Sequence, residues 1–184
     1  SIGEDEEKII PNSLILKEKG ADLILNPAAA TRFALSSKEI RKRIEYLSKD
    51  ITYVFTSQGA GESSTDFVYE GLNIITEYGK ILEINKNEPV NFIKDFYFNP
   101  HMEENIDQDL SYLYFNKLTD EKIKAFPFPY LPKEENREEF CEDILEIQAL
   151  GLLTRMKNIN ISKVCLGLSG GLDSTMALLA IVKA

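Results

Sequence analysis

The stretch "KVCLGLSGGLDSTMALLAIVKA", residues 163–184, decides the expected fold of the carboxyl-terminal part of the chain. Residues 164–168 are mostly apolar, which is typical of a buried strand in a parallel sheet. "SGG" at 169–171 interrupts this run, because two adjacent glycines allow a sharp turn and let a ligand approach the backbone. From Asp173 the pattern is helical and apolar nearly all round, as expected of a helix packed on a sheet. The stretch therefore predicts a strand, a glycine turn and a helix.

The glycine turn is predicted to bind an anion, because its N–H groups and the helix N-terminus both favour negative charge. Ser169, Ser174 and Thr175 could add hydroxyl donors, and the last two could cap free N–H groups in the first helical turn. A carboxylate at Asp173 would repel a bare phosphate, so it indicates a bridging cation, and we expect Mg²⁺. The spacing fits neither a Walker A loop, which needs a lysine, nor the G-x-G-x-x-G fingerprint.

The motif "SGGLDST" at 169–175 resembles the SGG-x-DS pyrophosphate loop of the ATP-pyrophosphatase (adenine nucleotide alpha hydrolase-like) enzymes. These include NAD, GMP and asparagine synthetases and several tRNA-modifying enzymes. The resemblance implies a Rossmann-like domain with ATP and Mg²⁺ as ligands, in which backbone N–H and hydroxyl groups bind pyrophosphate. The implied nucleotide-binding residues, of which Asp173 also binds the metal, are Gly167, Ser169, Gly170, Gly171, Leu172, Asp173, Ser174 and Thr175.

The composition is that of a globular, acidic protein. The 184 residues are 43% hydrophobic and carry a net charge of −9, which disfavours a non-specific nucleic-acid binder. The two cysteines, Cys141 and Cys165, are far apart and indicate no disulfide framework, so we expect a reducing cytoplasm. We see no apolar segment of membrane-spanning length and no signal peptide. The chain does not begin with Met, and we expect it to be part of a longer protein.

Hydrophobic periodicity predicts further elements on either side of a proline-rich linker, "AFPFPYLPKEEN". Before the linker, Gly20 suits the end of a helix, and Ser36 or Ser37 suits the N-cap of another. After the linker we expect a helix at 137–158, with an apolar face formed by Phe140, Ile144, Ile147, Leu150, Leu152 and Leu153. The other predicted elements are helices at 6–19 and 37–50, strands at 21–25 and 51–59, a loop and then a strand within 59–71, a hairpin turning at 77–80, and a strand end and helix within 106–118.

The part before the linker resembles the second half of a nitrilase-fold amidase, which runs strand, N-x-S/A loop, helix, strand, then G-x-S-x-I-x-x-x-x-G-x-x-L. The residues that correspond to that last frame are Gly71, Leu72, Asn73, Ile74, Gly79, Ile81 and Leu82, with one residue fewer between the two glycines than in the frame. A nitrilase-like glutaminase followed by an SGG-x-DS domain is the architecture of the glutamine-dependent NAD synthetase family, and "CEDILEIQALGLLTRMKNINISKVCLGLSGGLDST" resembles its junction. The implied fold is α/β: a partial nitrilase-like α-β sandwich in 1–125, the Pro-rich linker in 126–136, and the first βα unit of the Rossmann-like synthetase domain in 137–184.

The first part departs from that family at its nucleophile. The family's glutaminase uses a Cys–Lys–Glu triad, with the cysteine in an I-C-E-D segment. Here "SIGED" places Gly3 at that position, Ala28 and Ala30 stand where hydroxyls are expected, and the triad's Glu and Lys belong to the earlier half of the domain. Cys141 in "FCEDILEIQ" mimics the nucleophile segment, but its flanks match the junction and we expect it to be structural. We therefore expect no catalytic residue in this chain and no hydrolysis of glutamine.

Three other features are expected to have no catalytic or metal-binding role. Cys165 is predicted to be a small buried hydrophobe in the core strand. His101, the one histidine, is expected to be solvated, and one histidine with two distant cysteines makes no zinc site. The cluster "ESSTD" at 62–66 is expected to be a surface turn, with a pocket-lining loop as the alternative.

The resemblance implies that the parent protein makes NAD. ATP would adenylate the carboxylate of nicotinic acid adenine dinucleotide, and ammonia, supplied from glutamine in the full enzyme, would then displace AMP. We expect a homo-oligomer that binds no nucleic acid and no membrane. One alternative is a tRNA-modifying ATP-pyrophosphatase, which would need a basic face. The other is a non-catalytic interaction module, which predicts no ATP binding.

Overall fold

A four-stranded mixed sheet and four α-helices make up most of the described chain. In this computed structural model the described residues are 3–64, 66–86, Asp95 and 131–184. Residues 3–64 and 66–86 are called the sheet unit below. The strands are β1 (Leu23–Ala28), β2 (Thr52–Ser57), β3 (Asn73–Glu77) and β4 (Lys80–Asn85), and the helices are α1 (Asn12–Glu18), α2 (Ser36–Leu47), α3 (Arg137–Asn158) and α4 (Leu172–Lys183). Short 3-10 turns cover Gly3–Glu7, Ala60–Glu62 and Glu134–Asn136.

The strands lie in the order β1-β2-β3-β4. β1 and β2 are parallel, with α2 as the crossover between them, because parallel neighbours cannot be joined by a tight turn. The pairs β2–β3 and β3–β4 are antiparallel. This confirms the α/β class, the strand at 51–59 and the hairpin, while the predicted strand at 21–25 begins two residues later and extends to Ala28.

The core of the sheet unit lies between the sheet and α2. Ile24, Tyr53 and Ile74 project from three adjacent strands and are at most 2% exposed. Ile44 and Leu47 of α2 belong to the same buried cluster. Burial of such large side chains stabilises the fold by roughly 1.5–3 kcal/mol each.

Gly20 ends α1 as predicted. Its φ is 87°, and its N–H donates to the Lys17 carbonyl at 2.8 Å, while the Ala21 N–H donates to the Leu16 carbonyl at 3.0 Å. This pair of hydrogen bonds is the Schellman motif, which needs a left-handed residue just after the helix. The predicted start at residue 6 is wrong, because Pro11 occupies the N-cap of α1 and residues 3–7 form a separate 3-10 turn.

The hairpin turns on Tyr78 and Gly79, whose φ angles of 49° and 74° are both left-handed. Two such residues make the type I′ turn, whose twist matches that of the flanking strands. The Gly79 N–H donates to the Ser48 carbonyl at 2.8 Å, which ties the hairpin to the end of α2. α2 itself spans Ser36–Leu47, so it begins one residue before the predicted start at residue 37 and ends before the predicted end at residue 50.

Neither predicted serine is the N-cap of α2. That position is held by Leu35, with a φ of 64°, and Ser36 Oγ instead accepts the N–H of Phe33 at 3.1 Å. The strand predicted within 59–71 is also absent from the described residues there. Serine hydroxyls organise this segment: Ser63 Oγ accepts the Tyr69 N–H at 3.0 Å, and Ser64 Oγ accepts the Phe67 N–H at 3.2 Å. Among the described residues of the "ESSTD" cluster, Glu62 ends a 3-10 turn, Ser63 is buried, and Ser64 and Asp66 are exposed, so the surface turn at 62–66 stays a prediction.

α3 begins and ends at the predicted residues, but the strand predicted at 164–168 is wrong. These residues have no regular structure, Val164 and Leu168 are 41% and 58% exposed, and Cys165 is exposed rather than buried. A strand needs a neighbour for its backbone hydrogen bonds, and the described residues place no strand beside this one. Among the described elements, α4 packs chiefly against α3.

Several predictions lie outside the described residues, namely those at 106–118 and His101, and the boundary between 125 and 126. Among the described residues, no helix is long and apolar enough to cross a bilayer.

Candidate functional site

The predicted glycine turn is formed at the start of α4. Gly170 has a φ of 82°, a left-handed conformation that a side chain would strain. Gly171 is extended, with φ −80° and ψ 167°, and is the N-cap of the helix that begins at Leu172. The two glycines therefore turn the chain directly into the N-terminus of α4, as the sequence predicted.

The hydroxyl groups of the loop converge on Gly171. Ser174 Oγ and Thr175 Oγ1 donate to the Gly171 carbonyl at 3.1 and 2.9 Å. Ser169 Oγ accepts the Gly171 N–H at 3.3 Å and lies 3.0 Å from Ser174 Oγ. The prediction that Ser174 and Thr175 cap free N–H groups is therefore wrong, because both hydroxyls bind a carbonyl and serve to close the loop.

The donor set of the loop suits a phosphate group. The first N–H groups of any α-helix lack intrahelical partners, and the helix dipole adds partial positive charge at that end. The loop is exposed around Gly170 and Asp173, so a ligand can reach it. The hydroxyl hydrogen bonds are within the loop and can be exchanged for bonds to a ligand by rotation about χ1.

Asp173 is the single carboxylate in the first turn of α4. In the described part of the chain, no group of three or more His, Cys, Asp or Glu side chains could hold a metal ion. One carboxylate fits Mg²⁺ only when phosphate oxygens and water supply the other ligands, which is how proteins usually bind this ion beside nucleotides. Gly167 is exposed, and a Cβ there would meet no atom within 4 Å, so crowding does not explain the glycine.

The sequence analysis missed a charged junction between α3 and the sheet unit, centred on Arg32. The Arg32 side chain is 1% exposed, and its Nη2 donates to Asp143 Oδ1 and to Glu146 Oε2, both at 2.7 Å. Its Nε lies 3.3 Å from Glu70 Oε2. Burial opposes the charge of Arg32, yet the hydrogen bonds to Asp143 and Glu146 raise its pKa. The guanidinium therefore remains a cation that faces three carboxylates.

Further contacts continue this junction along α3. At its amino-terminal half, Asp143 Oδ2 accepts the Leu35 N–H at 2.7 Å, and Lys38 pairs with Glu139 at 2.6 Å. Towards its other end, Thr154 Oγ1 donates to the Ala60 carbonyl at 3.4 Å. α3 thus docks on the sheet unit with a polar stripe, whereas the apolar residues predicted to form its face are all only half-buried.

A cleft of about 440 Å³ opens beside the junction, between the start of α2, the end of β4 and α3. Lysine and arginine side chains lie on the sheet-unit wall, and four carboxylates lie on the α3 wall. Most of these charges are paired already: Lys38 with Glu139, Arg41 with Glu45, and two of the α3 acids with Arg32. None of the predicted nucleotide-binding residues lines this cleft.

No nucleophile stands at the predicted glutaminase position. Gly3 has a φ of 51°, and a Cβ there would meet no atom within 4 Å. Cys141 lies far along the chain, exposed on α3, and Ala28 and Ala30 are half-buried. Near Gly3 in the sequence, Glu6 is buried, and its carboxylate accepts a hydrogen bond from Ser13 Oγ at 2.5 Å.

Comparisons with known proteins find relatives that are named glutamine-dependent NAD(+) synthetase. No family model matches the chain. It is 26% identical over 151 residues to the glutamine-dependent NAD(+) synthetase of Mycobacterium bovis, and 27% identical over 163 residues to that of Mycobacterium leprae. These alignments cover 69% and 72% of this chain, but only 22% and 23% of the relatives, so the chain spans less than a quarter of their length.

Two solved structures share the fold. The glutamine-dependent NAD+ synthetase of Acinetobacter baumannii, in complex with adenosine diphosphate, matches with a TM-score of 0.66 at 16% identity, over 100% of this chain and 30% of that one. That of Cytophaga hutchinsonii matches with a TM-score of 0.59 at 22% identity, over 90% and 23% of the two chains. The resemblance inferred from the sequence is confirmed: the curated homologues of this chain are glutamine-dependent NAD(+) synthetases.

Proposed function

We propose that this chain carries the pyrophosphate-binding loop of an NAD synthetase. The observation that supports the proposal most is the turn at Gly170 and Gly171, which leads into the N-terminus of α4 with three hydroxyl groups beside it. The names of the curated relatives supply the reaction class. One structural neighbour was solved in complex with adenosine diphosphate, which is an adenine nucleotide with a pyrophosphate group.

The proposed reaction has two steps. A carboxylate oxygen of nicotinic acid adenine dinucleotide attacks the α-phosphorus of ATP, and pyrophosphate leaves as the bond between the α-phosphorus and its bridging oxygen breaks. Ammonia then attacks the acyl carbon, AMP leaves with the acyl oxygen, and the nitrogen loses a proton. The pyrophosphate that forms in the first step concentrates negative charge, so donors placed around it in advance lower the barrier.

The loop residues have distinct roles in this proposal. The N–H groups of Gly170, Gly171 and Leu172 would donate to phosphate oxygens, and Gly171 would first release its bond to Ser169. The three hydroxyl groups, which now bind within the loop, would turn towards the ligand. When bound, Mg²⁺ would neutralise part of the pyrophosphate charge, with Asp173 as its protein ligand, either directly or through water.

Binding of pyrophosphate to the chain tests the role of Asp173. We expect calorimetric affinity for pyrophosphate to rise when Mg²⁺ is added. Asp173→Asn should abolish this dependence and tighten Mg²⁺-free binding by about fivefold, since it removes a repulsion of about 1 kcal/mol. Glu138→Gln is the matched control, because Glu138 is also an exposed acid in the first turn of a helix. It should leave both affinities unchanged.

Turnover by the complete enzyme tests the same assignment. Asp173→Ala should abolish ATP-dependent pyrophosphate release, and retained release would refute the assignment. Absence of pyrophosphate and ATP binding under all conditions would contradict the nucleotide site itself and favour the interaction-module alternative.

Self-association of the protein and its location in the cell stay predictions.

A further inference from the structure

We propose that Arg32 is an ionic latch that holds α3, and through it α4 and the glycine loop, on the sheet unit. The proposal stands on the charged junction alone and does not depend on the function proposed above. Arg32 belongs to the loop after β1, and its two shortest contacts reach Asp143 and Glu146 across more than a hundred residues of sequence.

The arginine of the latch is buried and charged, whereas the side chains of Asp143 and Glu146 are 17% and 46% exposed. A guanidinium that is 1% exposed has no access to water, so its hydrogen bonds to protein carboxylates replace its hydration. Removal of one partner of a buried ion pair lowers the free energy of unfolding far more than an exposed ion pair raises it. Asp143 is held from a second direction, because its other oxygen accepts the Leu35 N–H at 2.7 Å.

The contacts of Arg32 within the sheet unit would allow α3 to be released while the sheet unit stays folded. Arg32 keeps two partners inside the sheet unit: Glu70 at 3.3 Å from Nε, and the Val68 carbonyl at 2.8 Å from its backbone N–H. Glu70 also accepts a hydrogen bond from Ser37. When α3 leaves, the Arg32 guanidinium keeps its ion pair with Glu70 and loses its hydrogen bonds to Asp143 and Glu146. No residue of α3 belongs to the apolar core between the sheet and α2.

α4 depends on α3 for its position. Among the described elements, α4 packs chiefly against α3, and the intervening residues 160–170 are irregular and mostly exposed. The glycine loop therefore follows α3 when α3 docks or undocks. Because α3 meets the sheet unit with a polar stripe, docking resembles the polar interfaces between domains that move relative to each other.

Hydrogen–deuterium exchange tests the latch. We compare the double variant Asp143→Asn/Glu146→Gln with the control Glu138→Gln/Glu142→Gln. Both remove two negative charges from α3, but Glu138 and Glu142 are exposed and lie outside the contacts to Arg32. The latch predicts that amides of α3 and α4 exchange at least about tenfold faster in the first variant, while those of β1–β3 change less than about twofold. The control should match the unmodified chain.

Three outcomes would overturn the proposal. Unchanged exchange in α3 would show that other contacts hold the helix. Equal acceleration in the control would assign the effect to helix charge in general. Parallel acceleration in the strands, or a failure of the double variant to fold, would show that α3 is part of one cooperative core and not a latched arm.

Discussion

Gly151 of α3 lies directly against Val68 of the sheet unit: a Cβ placed on Gly151 would meet Val68 Cγ2 at 3.1 Å. Such a distance is tighter than an ordinary van der Waals contact, and the β-branched valine has little rotamer freedom with which to yield. A glycine inside a helix normally costs about 1 kcal/mol relative to alanine. Its presence in the middle of α3 is therefore explained by the close approach of the helix to the Val68 side chain.

This relationship predicts a non-additive pair of substitutions. Gly151→Ala should raise the free energy of unfolding by about 1 kcal/mol in a Val68→Ala background, where the helix-propensity gain is free of the clash. In the unmodified chain the gain should be smaller by roughly 0.5–1 kcal/mol, because Val68 must move. Urea unfolding of the four proteins measures the difference. Additive effects would show that α3 does not approach Val68 this closely.

The hairpin glycine provides a second prediction. Gly79 has a φ of 74°, and a Cβ there would meet the Glu45 carbonyl oxygen at 3.3 Å. Alanine at this position would therefore have both an unfavourable backbone conformation and a close contact with that oxygen. Gly79→Ala should lower the free energy of unfolding by about 1–2 kcal/mol. Gly61→Ala is the control, since Gly61 has no left-handed φ and a Cβ there would meet no atom within 4 Å. Equal effects in denaturant unfolding would contradict the type I′ turn.

Local patterns predicted the elements whose stability is local. The bounds of α3 after the proline-rich linker were predicted, although its predicted apolar face is only half-buried, and the hairpin follows from alternating residues around Tyr78-Gly79. Arg32 could not be found in this way. It lies in the irregular loop "AAATRF", and its partner Asp143 is 111 residues away, so no window of sequence contains both.

In the glycine loop, too, the features set by neighbouring residues were predicted, and those that depend on distant residues were not. Its turn at Gly170 and its helix were predicted, because glycine and the helical pattern act within a few residues. The strand at 164–168 was predicted as well, yet it did not form, since a strand is stable only beside another strand. The predicted partners of the Ser174 and Thr175 hydroxyls were wrong, because Ser and Thr can bind either N–H groups or carbonyls in the first turn of a helix.

Alkaline pH should destabilise the sheet unit through Tyr53. Burial raises the pKa of this phenol, and the charge of Glu6 raises it further. In the unfolded chain it titrates near its ordinary value of about 10, so above that pH the folded state holds a proton that the unfolded state has lost. The contribution is fully present below about pH 10, and it falls by about 1.4 kcal/mol per pH unit as the pH rises towards the folded pKa.

Tyr53→Phe isolates this effect. The free energy of unfolding, measured by urea titration between about pH 9 and pH 11, should fall less steeply with pH in this variant than in the unmodified chain. Tyr46→Phe is the control for the loss of one tyrosine hydroxyl, because Tyr46 is 61% exposed. If Tyr53→Phe keeps the full alkaline slope, the Tyr53 hydroxyl is not buried as described.

Glutamine should give no ammonia with this chain. A thiolate must attack the amide carbon for the family mechanism to operate, and Gly3 has no side chain to do so. The exposed Cys141 and Cys165 are the two thiols that could mislead the assay, since free thiols react slowly with many electrophiles. Ammonia release is therefore measured for the unmodified chain and for the double variant Cys141→Ser/Cys165→Ser, and both should equal the rate without protein. Release that disappears in the double variant would identify one of these thiols as a nucleophile and would show that the assignment of Gly3 to the nucleophile position is wrong.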